Sequence, residues 1–161
     1  MAAPEIRDRV RLSNPVHCLA LGFGSGLARK APGTAGTMAA VPVWLLVAQL
    51  PLDAYLLVTA LVCLLGIPIC GRAARDFGVH DHPAIVWDEI AGFLVTMVAA
   101  PVGWLWAVLG FVLFRLFDIL KPWPIRVLDR RVHGGFGIMI DDIAAGILAA
   151  LVLQAVALIL V

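Results

Sequence analysis

Five long apolar segments separated by polar breaks dominate the hydrophobic pattern of the chain. They cover residues 38–50, 54–71, 90–100, 103–117 and 143–161. Turn-forming residues interrupt them, for example Pro51 with Asp53 and Pro101 with Gly103. Continuous apolar runs of this length predict helices, and the longer ones approach the length of a membrane span. We therefore predict an all-α protein built from about five apolar helices.

Composition changes that picture from a soluble bundle to a membrane bundle. Hydrophobic residues make up 62% of the 161 residues and charged residues only 14%. A soluble domain is about 45–50% apolar and about 25% charged, and one small core cannot hide the excess. We predict a polytopic membrane helix bundle over residues 1–161, a single membrane-embedded domain that begins with a polar segment of about residues 1–16. A span takes about 20 residues, so the first and third segments are short or partly inserted.

Charge placement predicts the topology. With a cytoplasmic N-terminus, the breaks at residues 50–53 and 100–103 lie outside and contain no Lys or Arg. All twelve basic residues then fall on the cytoplasmic side, which is the positive-inside pattern. Among the eleven acidic residues Asp53 is the one exception to the same placement. We predict an N-in, C-out protein whose chemistry faces the cytoplasm. The net charge of +1 does not favour a nucleic-acid partner. The sequence does not indicate whether the protein is a monomer or an oligomer.

Two adjacent acid pairs, Asp88-Glu89 and Asp141-Asp142, directly precede the third and fifth apolar segments. One acid at a helix start can cap the helix, but capping does not explain two adjacent acids twice. Clustered carboxylates repel one another unless they are protonated or bridged by a cation. Hard oxygen ligands suit Mg²⁺. We predict a Mg²⁺ site formed by these four residues, with capping as the alternative.

A cationic cluster ends the fourth apolar segment. Arg115, Asp118 and Lys121 recur at i, i+3 and i+6 on one helix face, before Pro122 ends the helix. An Arg and a Lys beside an acidic metal site suit phosphoryl transfer, because they neutralise the phosphoryl oxygens. The alternative is a set of snorkelling side chains paired at the membrane interface.

A glycine-rich stretch over residues 22–37 is a weaker candidate. Its small residues let backbone N–H groups approach a phosphate, and Thr34 and Thr37 could cap the first apolar helix. The spacing is not that of a P-loop, so a flexible juxtamembrane loop is the alternative. The candidate substrate-binding residues are Gly24, Ser25, Lys30, Gly33, Thr34 and Thr37. We interpret the polar stretch with His80, Asp81 and His82 as a solvated loop, since two His at this spacing are weak evidence for zinc.

Together these clusters resemble the phosphatidylglycerophosphatase A family. The matching stretches are residues 24–27 with 31–37, 88–92, 114–125 and 134–146. The resemblance implies a lipid phosphatase of the bacterial inner membrane that converts phosphatidylglycerophosphate to phosphatidylglycerol and inorganic phosphate. It also implies Mg²⁺ as the cofactor and a phospholipid of the bilayer as the substrate.

On this resemblance, Asp88, Glu89, Asp141 and Asp142 would bind one or two Mg²⁺ and activate water at the cytoplasmic face. Asp118 would be a further ligand or base, while Arg115 and Lys121 would stabilise the phosphoryl charge. The glycine-rich residues would hold the headgroup. An aspartyl-phosphate intermediate on one of these acids is an equal alternative to direct attack by water. A transporter or ion-coupled membrane protein with an acidic cation site is the other hypothesis, but it predicts charges near mid-span.

Overall fold

The computed structural model describes residues 9–160, and every regular element within that range is helical. The predicted all-α class is therefore confirmed. Residues 1–8 of the predicted polar N-terminal segment lie outside the described range. The elements are α1 (Pro15–Ala20), a 3₁₀ helix (Gly22–Leu27), α2 (Pro32–Val47), α3 (Leu52–Phe77), α4 (Trp87–Thr96), α5 (Trp104–Leu120), α6 (Ile125–Arg131) and α7 (Gly134–Leu160).

Two helices of the described range, α3 and α7, are long and apolar enough to cross a membrane. They contain 26 and 27 residues, whereas α2, α4 and α5 contain 16, 10 and 17. At 1.5 Å per residue, α4 rises only about 15 Å, half of a hydrocarbon core. The two candidate spans are fewer than the five predicted. An apolar composition indicates that a helix lies in an apolar environment, but it does not determine how long the helix is.

The start of α7 differs most from the sequence pattern. This helix begins at Gly134, so Asp141 and Asp142 lie two turns inside it rather than at its start. Gly135, in the glycine-rich start of this helix, is needed for packing. A Cβ on Gly135 would lie 1.9 Å from the carbonyl oxygen of Ile67 in α3. Capping by Asp141 or Asp142 is therefore excluded, and α3 and α7 touch at the backbone.

Helix α7 lies at the centre of the bundle and packs against α3, α4, α5 and α6. Its crossing with α4 is close, because a Cβ on Gly146 would lie 2.5 Å from the carbonyl oxygen of Gly92. Small residues that let backbones approach are typical of helix interfaces in membranes. The crossing places Asp88 and Glu89 of α4 one turn from Gly92, beside Asp142 of α7.

The interior and the outer faces of the bundle are both apolar. Phe93, Phe114 and Leu153 are fully buried between α4, α5 and α7. Leu57 and Leu151, on the outer faces of the two long helices, remain 62% and 64% exposed. An exposed apolar face of this extent on long helices indicates association with a membrane, where lipid covers it.

Candidate active site

Both predicted acid pairs contribute to one cluster at the crossing of α4 and α7. Carboxylate oxygens of Asp88, Glu89 and Asp142 lie within 4.8 Å of one another. Asp88 and Asp142 are buried, with 8% and 4% of their surfaces exposed. Helix α4 begins at Trp87 with no side-chain cap, so Asp88 and Glu89 do not cap it although they lie in its first turn. Their carboxylates are free to face α7.

One oxygen of each carboxylate in this cluster has no hydrogen-bond partner. Asp88 Oδ1, Glu89 Oε2 and Asp142 Oδ2 are all buried and unpaired. A buried carboxylate without a partner is costly, so such a group is stable only if it is neutralised or bound to a cation. Three hard oxygen atoms at this spacing are the ligands that Mg²⁺ prefers. The residues present therefore fit a divalent cation.

Asp141 belongs to a different arrangement from its neighbour Asp142. Its Oδ2 accepts a hydrogen bond from Lys121 Nζ at 2.6 Å, and Lys121 Nζ also donates to Asp129 Oδ1 at 2.7 Å. Burial by itself would lower the pKa of Lys121, but the two carboxylates outweigh it and raise that pKa above its ordinary range. Lys121 is thus a firmly protonated cation held between α6 and α7. Sequence reasoning missed Asp129, which shares no local motif with its partners.

Arg115 connects the acid cluster to α5. Its Nη1 donates to Asp118 Oδ2 and lies 3.9 Å from Glu89 Oε1. Gly33 at the start of α2 lies against the same pair, because a Cβ there would be 2.4 Å from Glu89 Oε1 and 3.1 Å from the Arg115 guanidinium nitrogens. A side chain at position 33 would displace the carboxylate, so this glycine permits the close approach of α2.

An open cavity of about 160 Å³ brings these groups together. Its lining residues are Asp81, Pro83, Ile85, Asp88, Glu89, Asp118, Lys121, Asp141 and Asp142. Six of the seven predicted catalytic residues line it, and Arg115 contacts two of them. Asp81 also lines it, so the loop interpreted as merely solvated contributes a carboxylate to the site. The available signal was a further acid seven residues before Asp88 in the same polar stretch.

Most of the predicted substrate-binding residues lie away from this cavity. Gly24 and Ser25 are in the 3₁₀ helix, where Ser25 Oγ donates a hydrogen bond to the backbone carbonyl of Leu21. Lys30 is exposed. The predicted capping by Thr34 and Thr37 is wrong, because α2 already begins at Pro32 after Ala31. Thr37 instead donates to the carbonyl of Gly33 at 2.9 Å. None of the six candidates lines the cavity, but Gly33 lies against Glu89 of the acid cluster.

Known proteins similar to this chain share most of its length. Residues 18–157 match the family model described as phosphatidylglycerophosphatase A. Phosphatidylglycerophosphatase A of Escherichia coli K12 is 52% identical over 145 residues, covering 89% of this chain and 84% of the relative. Its counterpart in Haemophilus influenzae is 47% identical over 150 residues, covering 92% of each protein. The chain belongs to the phosphatidylglycerophosphatase A family.

This membership confirms the resemblance seen in the sequence, and all of its motif stretches lie inside the matched region. A more distant relative from Bacteroides thetaiotaomicron, named as a candidate phosphatidylinositol-3-phosphatase, is 39% identical over 134 residues, covering 78% of this chain and 83% of that protein. No solved structure matches the chain. All three relatives carry names of phosphatases that act on phosphorylated lipids.

Proposed function

We propose that this protein hydrolyses the phosphomonoester of phosphatidylglycerophosphate to phosphatidylglycerol and inorganic phosphate. The observation that carries the proposal is the cluster of three carboxylates, each with a buried unpaired oxygen, beside two cations, Arg115 and Lys121. This arrangement supports a site for a divalent cation and a phosphoryl group together. The names of the relatives from Escherichia coli and Haemophilus influenzae supply the lipid.

The cation in this proposal is Mg²⁺. Asp88, Glu89 and Asp142 would hold it directly, and Asp141 lines the same cavity as a fourth carboxylate. When bound, Mg²⁺ supplies Lewis acidity toward a phosphate oxygen and toward water. The three acidic side chains hold their oxygens in position before the ion arrives, because α4 and α7 meet at the backbone one turn away.

The cations of the site orient the phosphoryl group and balance its charge. Lys121 and Arg115 approach it from the C-terminal end of α5, where they neutralise charge on the non-bridging oxygens as the ester bond breaks. Each cation is held by carboxylates, Lys121 by Asp141 and Asp129 and Arg115 by Asp118. Preorganised charges of this kind need no rearrangement during the reaction.

The proposed setting is the inner membrane of a bacterium, with the site at the cytoplasmic face. Two features support this placement. Helices α3 and α7 have the length and composition of spans, and the segments 50–53 and 100–103 carry no Lys or Arg. The shorter helices α2, α4 and α5 complete a single polytopic bundle by partial insertion, N-in and C-out. Acyl chains of the substrate then lie along apolar helix faces in the bilayer.

The test is phosphate release from phosphatidylglycerophosphate by the detergent-purified protein, with Mg²⁺ or with a chelator. Asp142→Asn is the test variant and Asp53→Asn the control, since Asp53 is an acid in the first turn of α3 that does not line the cavity. We expect release that needs Mg²⁺, is lost in Asp142→Asn and is retained in Asp53→Asn. Metal-independent release, or full activity of Asp142→Asn, would contradict the proposed site.

The transport hypothesis has no support in the comparisons or the arrangement of charges. The acids gather with Arg115 and Lys121 around one open cavity, whereas an ion pathway needs charged groups distributed through the bundle. Beyond these acids, the described residues of α4 and α7 bury no further charged side chain, and Leu94 and Leu153 are fully buried. Ion flux without phosphate release in liposomes would be the result that favours transport.

A further inference from the structure

A second cavity of about 290 Å³ lies next to the acid cavity. The glycine-rich stretch forms one side of it through Gly26, Arg29 and Pro32, and the loop before α4 forms the other through His82, Pro83 and Ala84. Pro83 also lines the acid cavity, so the two spaces are adjacent at this residue.

The charge of this second cavity is opposite to that of the first. None of its lining residues is acidic. Arg29 is exposed and forms no ion pair within residues 9–160, whereas Arg115 and Lys121 are already paired with carboxylates. An unpaired guanidinium beside a cavity is a ready donor for a phosphate group.

His82 adds a neutral donor to the same space. Its Nδ1 accepts a hydrogen bond from the backbone N–H of Ala84 at 3.0 Å, so in the neutral ring the proton is on Nε2. Burial lowers the pKa of His82 below its ordinary value and keeps the ring neutral near pH 7. The cavity therefore presents a charged donor on one side and a neutral donor on the other.

The substrate of the proposed function carries two phosphates, and this inference rests on that function. The terminal phosphate is a monoester, and one glycerol separates it from the phosphodiester that leads to the acyl chains. We infer that the Arg29 cavity binds the phosphodiester while the terminal phosphate occupies the acid cavity. A linker as short as glycerol requires adjacent subsites, and the two cavities that both reach Pro83 provide them.

Arg29 then determines specificity among lipid phosphates. Phosphatidic acid has a monoester but no phosphodiester, so it gains nothing from Arg29. Phosphatidylglycerol, the product, has the phosphodiester but no monoester, so it keeps the Arg29 contact after the terminal phosphate has left. These two lipids each report on one subsite.

The experiment measures inhibition of phosphatidylglycerophosphate hydrolysis in mixed micelles by each of these two lipids. Arg29→Gln is the test variant, and Arg126→Gln is the control, since Arg126 is an exposed cation of α6 that lines neither cavity. Both variants remove one positive charge. In Arg29→Gln we expect the KM for the substrate and the Ki of phosphatidylglycerol to rise about tenfold, the loss of one charge-assisted contact. The Ki of phosphatidic acid should change less than twofold, and Arg126→Gln should match the wild type throughout.

Two results would overturn the inference. Equal rises in both Ki values would show that Arg29 attracts any anionic lipid, and unchanged values would show that it binds neither. Thermal unfolding of Arg29→Gln at the wild-type temperature checks that the fold is intact. A wild-type protein that releases no phosphate from phosphatidylglycerophosphate would instead overturn the proposed function, and the inference with it.

Discussion

The two acid pairs look alike in the sequence but their members differ in the structure. Asp88, Glu89 and Asp142 each leave a buried oxygen unpaired, whereas Asp141 is neutralised by Lys121 at 2.6 Å. One side of the cavity therefore has excess negative charge, and the other side is balanced by residues of the protein itself. An unbalanced buried charge needs a partner from outside, and a balanced one does not. Asp88, Glu89 and Asp142 are therefore the residues that would bind a metal cation, whereas Asp141 binds the ammonium group of Lys121.

The largest effect should come from the unbalanced side. We expect Asp88→Asn to lower phosphate release about a thousandfold, because losing a ligand forfeits several kcal/mol of charge stabilisation. Isothermal titration of the purified variant with Mg²⁺ should show that binding is weakened as well. Mg²⁺ affinity equal to that of the wild type would remove Asp88 from the cation site.

Replacing the cation of the balanced side should cost less. Lys121→Met should lower kcat about a hundredfold, which is the usual loss when one preorganised charge stabiliser is removed. Lys121→Arg, which keeps the charge, should recover part of the rate. If Mg²⁺ affinity fell as far in Lys121→Met as in Asp88→Asn, the two sides of the cavity would not be separate.

Stability without metal should divide the adjacent residues Asp141 and Asp142. In chelator at pH 8, Asp142→Asn should be more stable than the wild type by about 1–3 kcal/mol, since it removes an unpaired buried charge. Asp141→Asn should be less stable by a similar amount, since Lys121 loses its buried partner. Thermal unfolding of both variants measures this difference. Equal shifts in the same direction would contradict it.

The smallest effect should come from Asp129, whose ion pair with Lys121 is the more exposed of the two. Such a pair contributes about 0–1 kcal/mol, so Asp129→Asn should lower activity no more than about fivefold. Asp129 helps to raise the pKa of Lys121, so its removal should lower that pKa. As the pH is raised, the activity of Asp129→Asn should therefore begin to fall at a lower pH than the activity of the wild type. A pH profile unchanged up to pH 10 would argue that Asp141 alone holds the charge.

The sequence predicts the helices better than it predicts their ends. Every apolar run lies within or largely overlaps one helix, because continuous apolar residues have few other stable conformations in a membrane. The start of α7 was missed because glycines at positions 134, 135 and 137 are typical of a loop. Gly135 is needed because it contacts the distant backbone of Ile67, and a local pattern contains no sign of that contact.

The candidate site was predictable as far as its residues carry a local signal. Adjacent acids at two helices indicated a cation site because capping could not explain them. The sequence could not predict that Asp141 is paired with Lys121 while an oxygen of Asp142 is unpaired. Successive residues on a helix point about 100° apart, and the surroundings of each depend on the tertiary fold. Asp81 and Asp129 have no acidic neighbour in sequence, so only the folded chain reveals that one lines the cavity and the other contacts Lys121.

The backbone contact between Gly92 and Gly146 also has a consequence for the proposed Mg²⁺ site. The separation of α4 and α7 fixes the distance between the oxygens of Glu89 and Asp142, and a methyl group on Gly92 would meet the carbonyl oxygen of Asp142 at 2.8 Å. Mg²⁺ requires oxygens at about 2.0–2.1 Å and Ca²⁺ at about 2.3–2.6 Å. If the cavity holds the proposed cation, Gly92 and Gly146 would limit the size of that ion without contacting it, and a wider crossing would favour a larger ion.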